Sequence, residues 1–457
     1  MYDIAIIGGG PGGYAAALYA HNFGLSVALI ERERVGGTCL LKGCIPAKAW
    51  IQSAEVYSTV AGAGEFGVIT SEPEFAWPKA LERKQKVVEG LVRGLEGLLK
   101  HRDVDVIDGH GRISGPGEVT ATSATGEVTK ITAKNIILAT GSQAASIPGY
   151  DINGTTIVTS DHALDWTEQP GRVAVIGAGV IGCEFASFLA EVGTEVHLFE
   201  MEDQLVPGME PEAAKVLARE FRKRKITTHL GVGVGPAMVS DGGVTVPYND
   251  ESVEVDVVLV AVGRRPVTGD VGLDSVGLAV EQGFVAVDTE MMETVAESVY
   301  AVGDIVSGTP QLAHVAFAEA ITAVTHIATG ETAPVDYNAI PMVVYTHPEI
   351  AWVGKTAADA SDAGFDVTTT EHGMRGVGRA IIQGEIGGIV KIVAETDGPI
   401  LGATVVGPGA GEMIHELMYA VGWESLPSEA AAFIHAHPTV SEAIGETLMA
   451  SAGRGLH

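Results

Sequence analysis

Residues 4–13 read Ile-Ala-Ile-Ile-Gly-Gly-Gly-Pro-Gly-Gly, a short apolar run that enters a cluster of glycines. The Ala-rich stretch from Tyr14 to Phe23 predicts a helix, and Val27-Ala28-Leu29-Ile30 predicts a buried parallel strand that ends at Glu31. The glycines follow the spacing G-x-G-x-x-G, at Gly8, Gly10 and Gly13. The segment is therefore a β-α-β unit with the spacing of a dinucleotide site.

The same pattern returns at residues 173–182, which read Val-Ala-Val-Ile-Gly-Ala-Gly-Val-Ile-Gly. A predicted helix continues through Leu189, and a predicted strand at 196–199 ends at Glu200. Glu31 and Glu200 stand at the same offset from the first glycine of their units. One glycine motif can arise from any tight turn with packing glycines, but two complete units with matching acids predict two dinucleotide sites. The motif glycines of the second unit are Gly177, Gly179 and Gly182.

Both units imply the same binding mechanism. Glycines let the backbone approach a pyrophosphate, the helix N-terminus presents its positive dipole end, and the acid accepts hydrogen bonds from a ribose. An acid at the strand end repels a 2′-phosphate, so Glu200 favours NAD over NADP, although one residue does not settle the choice.

Length and composition exclude several classes of function. A chain of 457 residues, 46% of them hydrophobic, has room for roughly three or four domains and a large cofactor site. Its formal charge of −30 repels phosphate backbones, so we expect no nucleic-acid partner; the acidity indicates a solvated surface or a docking surface for a basic partner. No apolar run reaches the roughly 18 residues of a membrane helix, and no basic leader precedes the first strand. We therefore expect no membrane partner and a soluble protein, in the cytoplasm if the source is bacterial.

Three cysteines, Cys39, Cys44 and Cys183, are too few for a secreted disulfide framework, so any disulfide is expected to be catalytic. Cys39 and Cys44 have four residues between them, and thiols at that spacing can face each other across one turn of a helix. The alternatives are half of a zinc site or two structural cysteines. No further ligands in metal-like spacing are visible, so we predict a redox pair and no metal site. Cys183 is interpreted as a small buried hydrophobe.

Residues 36–48, from Gly36-Gly37-Thr38-Cys39 to Cys44-Ile45-Pro46-Ala47-Lys48, resemble the active-site segment of the pyridine nucleotide-disulfide oxidoreductases. The resemblance extends over almost the whole chain, through residues 139–142, 261–266, 300–304, 312–314, 345–354 and 435–442. Within the family it is strongest to members that oxidise dihydrolipoamide. It implies FAD and NAD as cofactors, and reoxidation of protein-bound dihydrolipoamide through a Cys39-Cys44 disulfide, with reduction of NAD to NADH.

The resemblance also implies a role for each site residue. Cys39 would exchange with lipoamide and Cys44 would lie against the flavin as a thiolate. His437 with Glu442 would form the acid-base pair, acting on the disulfide of the other subunit of a homodimer with shared active sites. Lys48 would pair with Glu184 beside the flavin, Asp304 would hold the ribitol, and Glu31 and Glu200 would bind the riboses. The complete implied set of cofactor-binding residues is Gly8, Gly10, Gly13, Glu31, Thr38, Lys48, Gly111, Thr140, Gly141, Ser142, Gly177, Gly179, Gly182, Glu184, Glu200, Gly263, Asp304 and Ala313.

The predicted fold is α/β, with two Rossmann-like, three-layer ββα dinucleotide-binding domains and a C-terminal α+β dimerisation domain. Its predicted divisions are an FAD-binding domain at 1–147, an NAD-binding domain at 148–266, a central domain at 267–340 that returns to the FAD site, and an interface domain at 341–457. Alternating patterns at 104–107, 119–122 and 253–257 predict antiparallel strands of a meander. The implied partners are a lipoyl-bearing substrate protein and the acyltransferase core of a 2-oxo acid dehydrogenase complex.

His437 and Glu442 also have an ordinary interpretation, because residues 439–442 read Thr-Val-Ser-Glu and fit a helix capping box. Chemistry favours the catalytic one. A thiol with an ordinary pKa of about 8.5 needs a base at neutral pH, and an imidazole positioned by a carboxylate supplies it.

The sequence departs from the usual family pattern at Leu41, Lys42, Ala47 and Val267, which bears on redox potential and substrate fit. Two alternative functions stay open. One is a glutathione-type or mycothiol-type disulfide reductase, and the other is a non-catalytic nucleotide-binding protein with the same fold. Family members that need a second cysteine pair near the C-terminus are disfavoured, since no cysteine follows Cys183.

Overall fold

The first glycine turn sets a helix close against a strand. In the computed structural model, which describes residues 1–456, the strand Tyr2–Ile7 enters the helix Pro11–Ala20, and the chain returns as the strand Val27–Glu31. Gly8 has a φ of +106°, and a Cβ atom there would lie 2.2 Å from the carbonyl oxygen of Ala139. Only glycine tolerates both conditions. The helix begins earlier than the predicted Tyr14, because Pro11 suits a first helical position.

The second unit repeats this construction. It consists of the strand Arg172–Ile176, the helix Val180–Glu191 and the strand Glu195–Phe199. Gly177 has a φ of +99°, and a Cβ atom there would lie 2.5 Å from the carbonyl oxygen of Ala261. The prediction of two Rossmann-like units is therefore confirmed.

The first sheet has a parallel part and an antiparallel part. The strand Val128–Leu138 belongs to both, since its beginning pairs with an antiparallel neighbour and its end with two parallel ones. The parallel strands, in spatial order, are Asp105–Asp108, Val27–Glu31, Tyr2–Ile7, Val128–Leu138 and Val299–Ala301. The antiparallel strands are Glu118–Thr122 and His110–Gly115. The antiparallel prediction is right for 119–122 and wrong for 104–107, because alternation along a strand does not encode the direction of its distant partner.

The second sheet is parallel throughout. Its strands, in spatial order, are Thr227–His229, Glu195–Phe199, Arg172–Ile176, Val257–Val260 and Ile157–Val158. A separate antiparallel meander comprises Met238–Ser240, Gly243–Tyr248 and Glu251–Val255. The single strand predicted at 253–257 is therefore wrong in part: the meander ends at Val255, and Val257 begins a parallel strand. A short antiparallel pair, Ser142–Ala144 with Arg264–Pro266, joins the chain entering and leaving this unit.

The C-terminal sheet is antiparallel. Its strands, in spatial order, are Met342–Val344, Ile350–Gly354, Ile400–Val406, Ile389–Glu395 and Val367–Gly373. The helices Ala410–Gly422 and Glu442–Ser451 pack on it through buried residues such as Ile414 and Ile444. This is the predicted α+β region.

Residues between the second unit and the C-terminal sheet rejoin the first sheet. The strand Val299–Ala301 lies beside Val128–Leu138, and Val271, Met292 and Val306 belong to the same apolar core as Ile4 and Ile6. The predicted domain boundaries stay predictions. The remaining helices are Cys44–Gly62, Trp77–His101, Ser160–Ala163, Pro211–Lys223, Ala313–Thr329, Ala357–Asp362, Gly378–Gln383 and Pro427–Ala430. Across the described residues, none of the helices has both the length and the apolar character needed for a membrane crossing.

Candidate active site

The two cysteines lie at a junction between two kinds of helix. Cys39 is in a π-helical turn, Thr38–Lys42, and Cys44 is the first residue of the helix Cys44–Gly62. A π-helical turn bonds residues five apart, which is the separation of the two cysteines, so the helical turn expected between them includes a π-helical segment. The preceding Gly37 has a φ of +57°, and a Cβ atom there would lie 2.5 Å from the Cα atom of Gly10. Glycine therefore lets the cysteine segment cross directly over the first glycine turn.

The thiols of Cys39 and Cys44 are both free and differ in acidity. The hydrogen bond between them, together with burial, holds the pKa of Cys39 well above its usual range. The hydrogen bond from Cys39 and the positive charge of Lys48 outweigh burial and lower the pKa of Cys44 to about 7. In the reduced pair, Cys44 is therefore the residue that becomes the thiolate.

Lys48 links the cysteine segment to the second glycine unit. Its Nζ atom lies 2.8 Å from both carboxylate oxygens of Glu184, which is buried in the helix Val180–Glu191. The same carboxylate accepts the backbone N–H of Tyr345 at 3.1 Å, and Nζ lies 4.7 Å from the centre of the Tyr345 ring. The structure thus brings together Lys48 and Glu184, a pairing that spacing alone does not predict.

Glu31 and Glu200 are held identically in the two units. One oxygen of Glu31 accepts the backbone N–H of Gly9 at 2.7 Å, and one oxygen of Glu200 accepts that of Ala178 at 2.7 Å. The second oxygen of each accepts a backbone N–H two residues further on. Each carboxylate is therefore fixed beside the glycine turn of its own unit.

One cavity of about 2020 Å³ joins the two glycine turns and the cysteines. This volume exceeds the roughly 300–1,000 Å³ of an ordinary ligand site, so it has room for two dinucleotides. Gly13 and Gly182 are not among the residues that line the cavity. A Cβ atom on Gly13 would lie 1.8 Å from the carbonyl oxygen of Gly8, and one on Gly182 would lie 1.9 Å from that of Gly177. These two glycines keep helix and strand close. The predicted residues that line the cavity are Gly8, Gly10, Glu31, Thr38, Cys39, Cys44, Lys48, Gly111, Thr140, Gly141, Ser142, Gly177, Gly179, Glu184, Glu200, Gly263, Asp304 and Ala313.

His437 and Glu442 form a pair away from this cavity. The Nδ1 atom of His437 lies 2.8 Å from one oxygen of Glu442, and the other oxygen accepts the backbone N–H of Thr439 at 2.9 Å. That backbone bond, followed by the one from His437, lowers the pKa of Glu442. The predicted capping box is half formed: Glu442 accepts the backbone N–H of Thr439, but the Thr439 hydroxyl bonds Ala436 instead of Glu442, and the final helix begins only at Glu442. The His437 side chain is 79% exposed, and the structure does not place it beside Cys39 within one chain.

Comparison with known proteins identifies the family. The model of the pyridine nucleotide-disulphide oxidoreductases matches residues 2–320, and the model of their dimerisation domain matches residues 340–448. The chain belongs to this family. It is 38% identical to a dihydrolipoyl dehydrogenase of Bacillus subtilis, with all of this chain and 99% of the relative aligned. It is also 38% identical to a dihydrolipoyl dehydrogenase of Haloferax volcanii, over all of this chain and 97% of the relative. Among solved structures, LpdA from Mycobacterium tuberculosis superposes with a TM-score of 0.91 at 28% identity, covering 98% of this chain and 99% of that one.

Family membership makes the chain a flavoprotein oxidoreductase that uses FAD and NAD(H), and its dimerisation domain indicates a homodimer. The cavity fits these cofactors. Glu31 and Glu200 would present fixed carboxylates to two riboses, and Gly10 and Gly179 line the cavity without side chains, with open space at Gly179 for a pyrophosphate. Bound FAD would supply an acceptor for two electrons, and NAD would carry them away as hydride.

Arg264 is a site residue that the sequence analysis missed. It donates to the Oγ and carbonyl oxygen of Ser142 at 2.7 and 2.8 Å, and to the Oγ of Thr38 at 3.3 Å. The Ser142 hydroxyl in turn donates to Asp304. Arg264 lies in segment 261–266, which resembles the family, and that resemblance is the signal that could have identified it.

His347 and His314, which are not in the predicted catalytic set, have structural partners. His347 lies between Glu191 and Glu385 at 2.9 and 3.0 Å. Burial opposes its charge, but these carboxylates raise the pKa of His347 to about 9. His314 lines the cavity, and its Nε2 atom lies 2.9 Å from the carbonyl oxygen of Pro341. Within residues 1–456, no cluster of three or more His, Cys, Asp or Glu side chains is arranged to hold a metal ion.

Proposed function

We propose that the chain acts as a dihydrolipoyl dehydrogenase, which oxidises a dihydrolipoyl group on a carrier protein and reduces NAD to NADH. The observation that carries this proposal is the Cys39 and Cys44 pair, whose thiols differ in acidity and line the cavity shared by both glycine turns. The full-length relatives from Bacillus subtilis and Haloferax volcanii carry this activity in their names, which supports the same activity here.

The thiol chemistry starts from the Cys39-Cys44 disulfide. One lipoyl thiolate attacks the sulfur of Cys39, the disulfide breaks, and Cys44 leaves as the thiolate that its low pKa favours. The second lipoyl thiol, after losing its proton, attacks the mixed disulfide and completes the oxidised lipoyl ring. Cys39 leaves and takes a proton, as its raised pKa favours. The substrate thus loses two electrons and two protons, while the enzyme gains a thiol at Cys39, a thiolate at Cys44 and one proton on a base.

His437 is the proposed base, and Glu442 holds its ring through Nδ1, which leaves Nε2 free to take the proton. Because His437 is exposed and lies off the cavity, the proposal assigns it to the cysteine pair of the second subunit. The cofactor-binding roles of the cavity residues belong to the same proposal. Lys48 and Glu184 would lie as a pair beside the flavin, next to Cys44, and Glu200 would select NAD.

The lipoyl-bearing protein is the proposed substrate, and the acyltransferase core of a 2-oxo acid dehydrogenase complex is the proposed assembly partner. The shortage of cysteines suits a reducing compartment, and we propose the cytoplasm.

Steady-state turnover with dihydrolipoamide, glutathione disulfide and mycothiol disulfide, each with both nicotinamide cofactors, tests the function. We expect efficient turnover only with dihydrolipoamide and NAD. The Cys39→Ser variant should keep its FAD and lose lipoamide turnover, because the exchange thiol is gone. Preference for glutathione or mycothiol disulfide with NADPH would favour the reductase alternative, and a protein without bound flavin would favour the non-catalytic one.

A further inference from the structure

A fully buried carboxyl group lies behind the segment that presents Asp304. Glu319, on the helix Ala313–Thr329, has no exposed surface, and one of its oxygens accepts the backbone N–H of Gly303 at 2.6 Å. The other accepts the hydroxyl of Tyr337 at 3.0 Å. Gly303 directly precedes Asp304, which lines the cavity. Glu319 therefore ties the turn that carries Asp304 to a helix and to the segment that enters the C-terminal sheet.

The burial of Glu319 disfavours the ionised form of its carboxyl group. Burial, opposed by the hydrogen bonds from Gly303, Tyr337 and Thr309 and assisted by the negative charge of Asp304, raises the pKa of Glu319 to about 7. Burial and the nearby carboxylate also raise the pKa of Tyr337. The groups that hydrogen-bond Glu319 are a backbone N–H and hydroxyls, and among residues 1–456 the carboxyl takes part in no salt bridge, so no ion pair fixes its charge.

The turn itself is sensitive to this bond. Gly303 has a φ of +75°. A Cβ atom there would lie 3.2 Å from the Cβ atom of Ala316, which is on the same helix as Glu319. The segment therefore follows the helix closely. A hydrogen bond to a charged oxygen is stronger than one to a neutral oxygen, so the proton on Glu319 decides how firmly Gly303 is held.

We propose that Glu319 is a positioning residue for FAD: when ionised it fixes the turn that presents Asp304, and when protonated it holds that turn less firmly, so that FAD retention depends on one proton. The proposal rests on the FAD assignment and is independent of the lipoyl chemistry.

The test is the rate at which FAD leaves the oxidised holoenzyme, measured from the fluorescence of released FAD in a fixed, sub-denaturing concentration of chaotrope across a pH series. Oxidised enzyme is used because its Cys44 cannot ionise. We expect release to accelerate about threefold to tenfold as the pH falls through 7. Glu319→Gln, whose amide oxygen still accepts from Gly303 but never becomes charged, should release FAD at the fast rate at every pH.

A second variant tests the proposal even if Glu319→Gln folds poorly, and a third variant serves as the control. Tyr337→Phe keeps the carboxyl group but removes a donor to it, so the midpoint of the transition should move to higher pH. Glu331→Gln, on the exposed segment just after the same helix, should keep the wild-type profile. A wild-type pH profile in Glu319→Gln, or an unmoved midpoint in Tyr337→Phe, would overturn the proposal.

Discussion

The hydrogen bond from Cys39 and the charge of Lys48 lower the pKa of Cys44, and Lys48 also joins the cysteine segment to the second glycine unit through Glu184. We predict that Lys48→Gln moves the pKa of Cys44 from about 7 toward the ordinary thiol value of about 8.5. The rate of alkylation of the reduced enzyme by iodoacetamide, followed against pH, gives this value directly. Lys42→Gln is a matched control, since the Lys42 ammonium is paired with Glu33 at 2.5 Å. If the midpoint does not move in Lys48→Gln, the hydrogen bond from Cys39 alone sets the acidity.

Glu200 is the residue that we propose decides between NAD and NADP. Its carboxylate is fixed by the backbone N–H of Ala178, so its charge cannot turn away from an approaching 2′-phosphate. We predict that Glu200→Gln keeps the fixed geometry, loses the repulsion, and lowers the ratio of kcat/KM for NADH over NADPH by about tenfold. Glu202→Gln, two residues further along the same loop, is the control. An unchanged ratio in Glu200→Gln would move the origin of cofactor choice elsewhere in the site.

Among the secondary-structure elements, the two β-α-β units could be predicted because their signals are local. Gly13 and Gly182 pack against the carbonyl oxygens of Gly8 and Gly177 within the same turn, and each acid follows its strand at once. Pairing direction could not be predicted, because Asp105–Asp108 aligns with a strand far away in sequence. Nor could the break at Asp256, whose side chain accepts from Arg172 and ends the meander. The π-helical turn at Thr38–Lys42 has no periodic signature in a single sequence.

His347 connects the helix Val180–Glu191 to the segment after Gly378–Gln383 through Glu191 and Glu385. Its pKa is raised to about 9 in the folded protein, above the ordinary value of about 6.5. The stability it contributes is therefore complete below the ordinary pKa and is lost as the pH rises through 9. We predict that His347→Gln lowers the free energy of unfolding by about 1 to 3 kcal/mol at low pH, and by progressively less above the folded pKa. Urea unfolding across a pH series measures the difference, and a constant difference would indicate a packing role only.

For the whole molecule, the sequence indicated which residues belong to the site, and the resemblance implied the pairing of Lys48 with Glu184, but neither indicated the contacts of Arg264. Thr38 and Ser142 come from two distant segments and both accept hydrogen bonds from the guanidinium group of Arg264, which comes from a third. Lys48 follows the first glycine unit and Glu184 lies in the second, and the two side chains meet at the wall of one cavity. Such contacts depend on how the two units pack, and no local pattern in a single sequence encodes that packing. The same reasoning applies to His437, whose position off the cavity becomes meaningful only in a dimer.

An active site shared between two subunits can be tested by combining subunits that carry different defects. Each site would take its cysteines from one subunit and its base from the other, so His437→Gln should lower lipoamide turnover by about a hundredfold or more while FAD stays bound. NADH oxidation by an artificial acceptor, which bypasses the disulfide, should be much less affected.

A heterodimer of one His437→Gln subunit and one Cys39→Ser subunit would then contain one site with both defects and one site with none. Re-formed mixed dimers should therefore regain up to half of the wild-type turnover, although each parent homodimer is inactive. Differently tagged subunits allow the mixed dimer to be isolated before assay. If that isolated dimer is as inactive as its parents, His437 acts within its own chain or only holds the carboxylate at the start of the last helix.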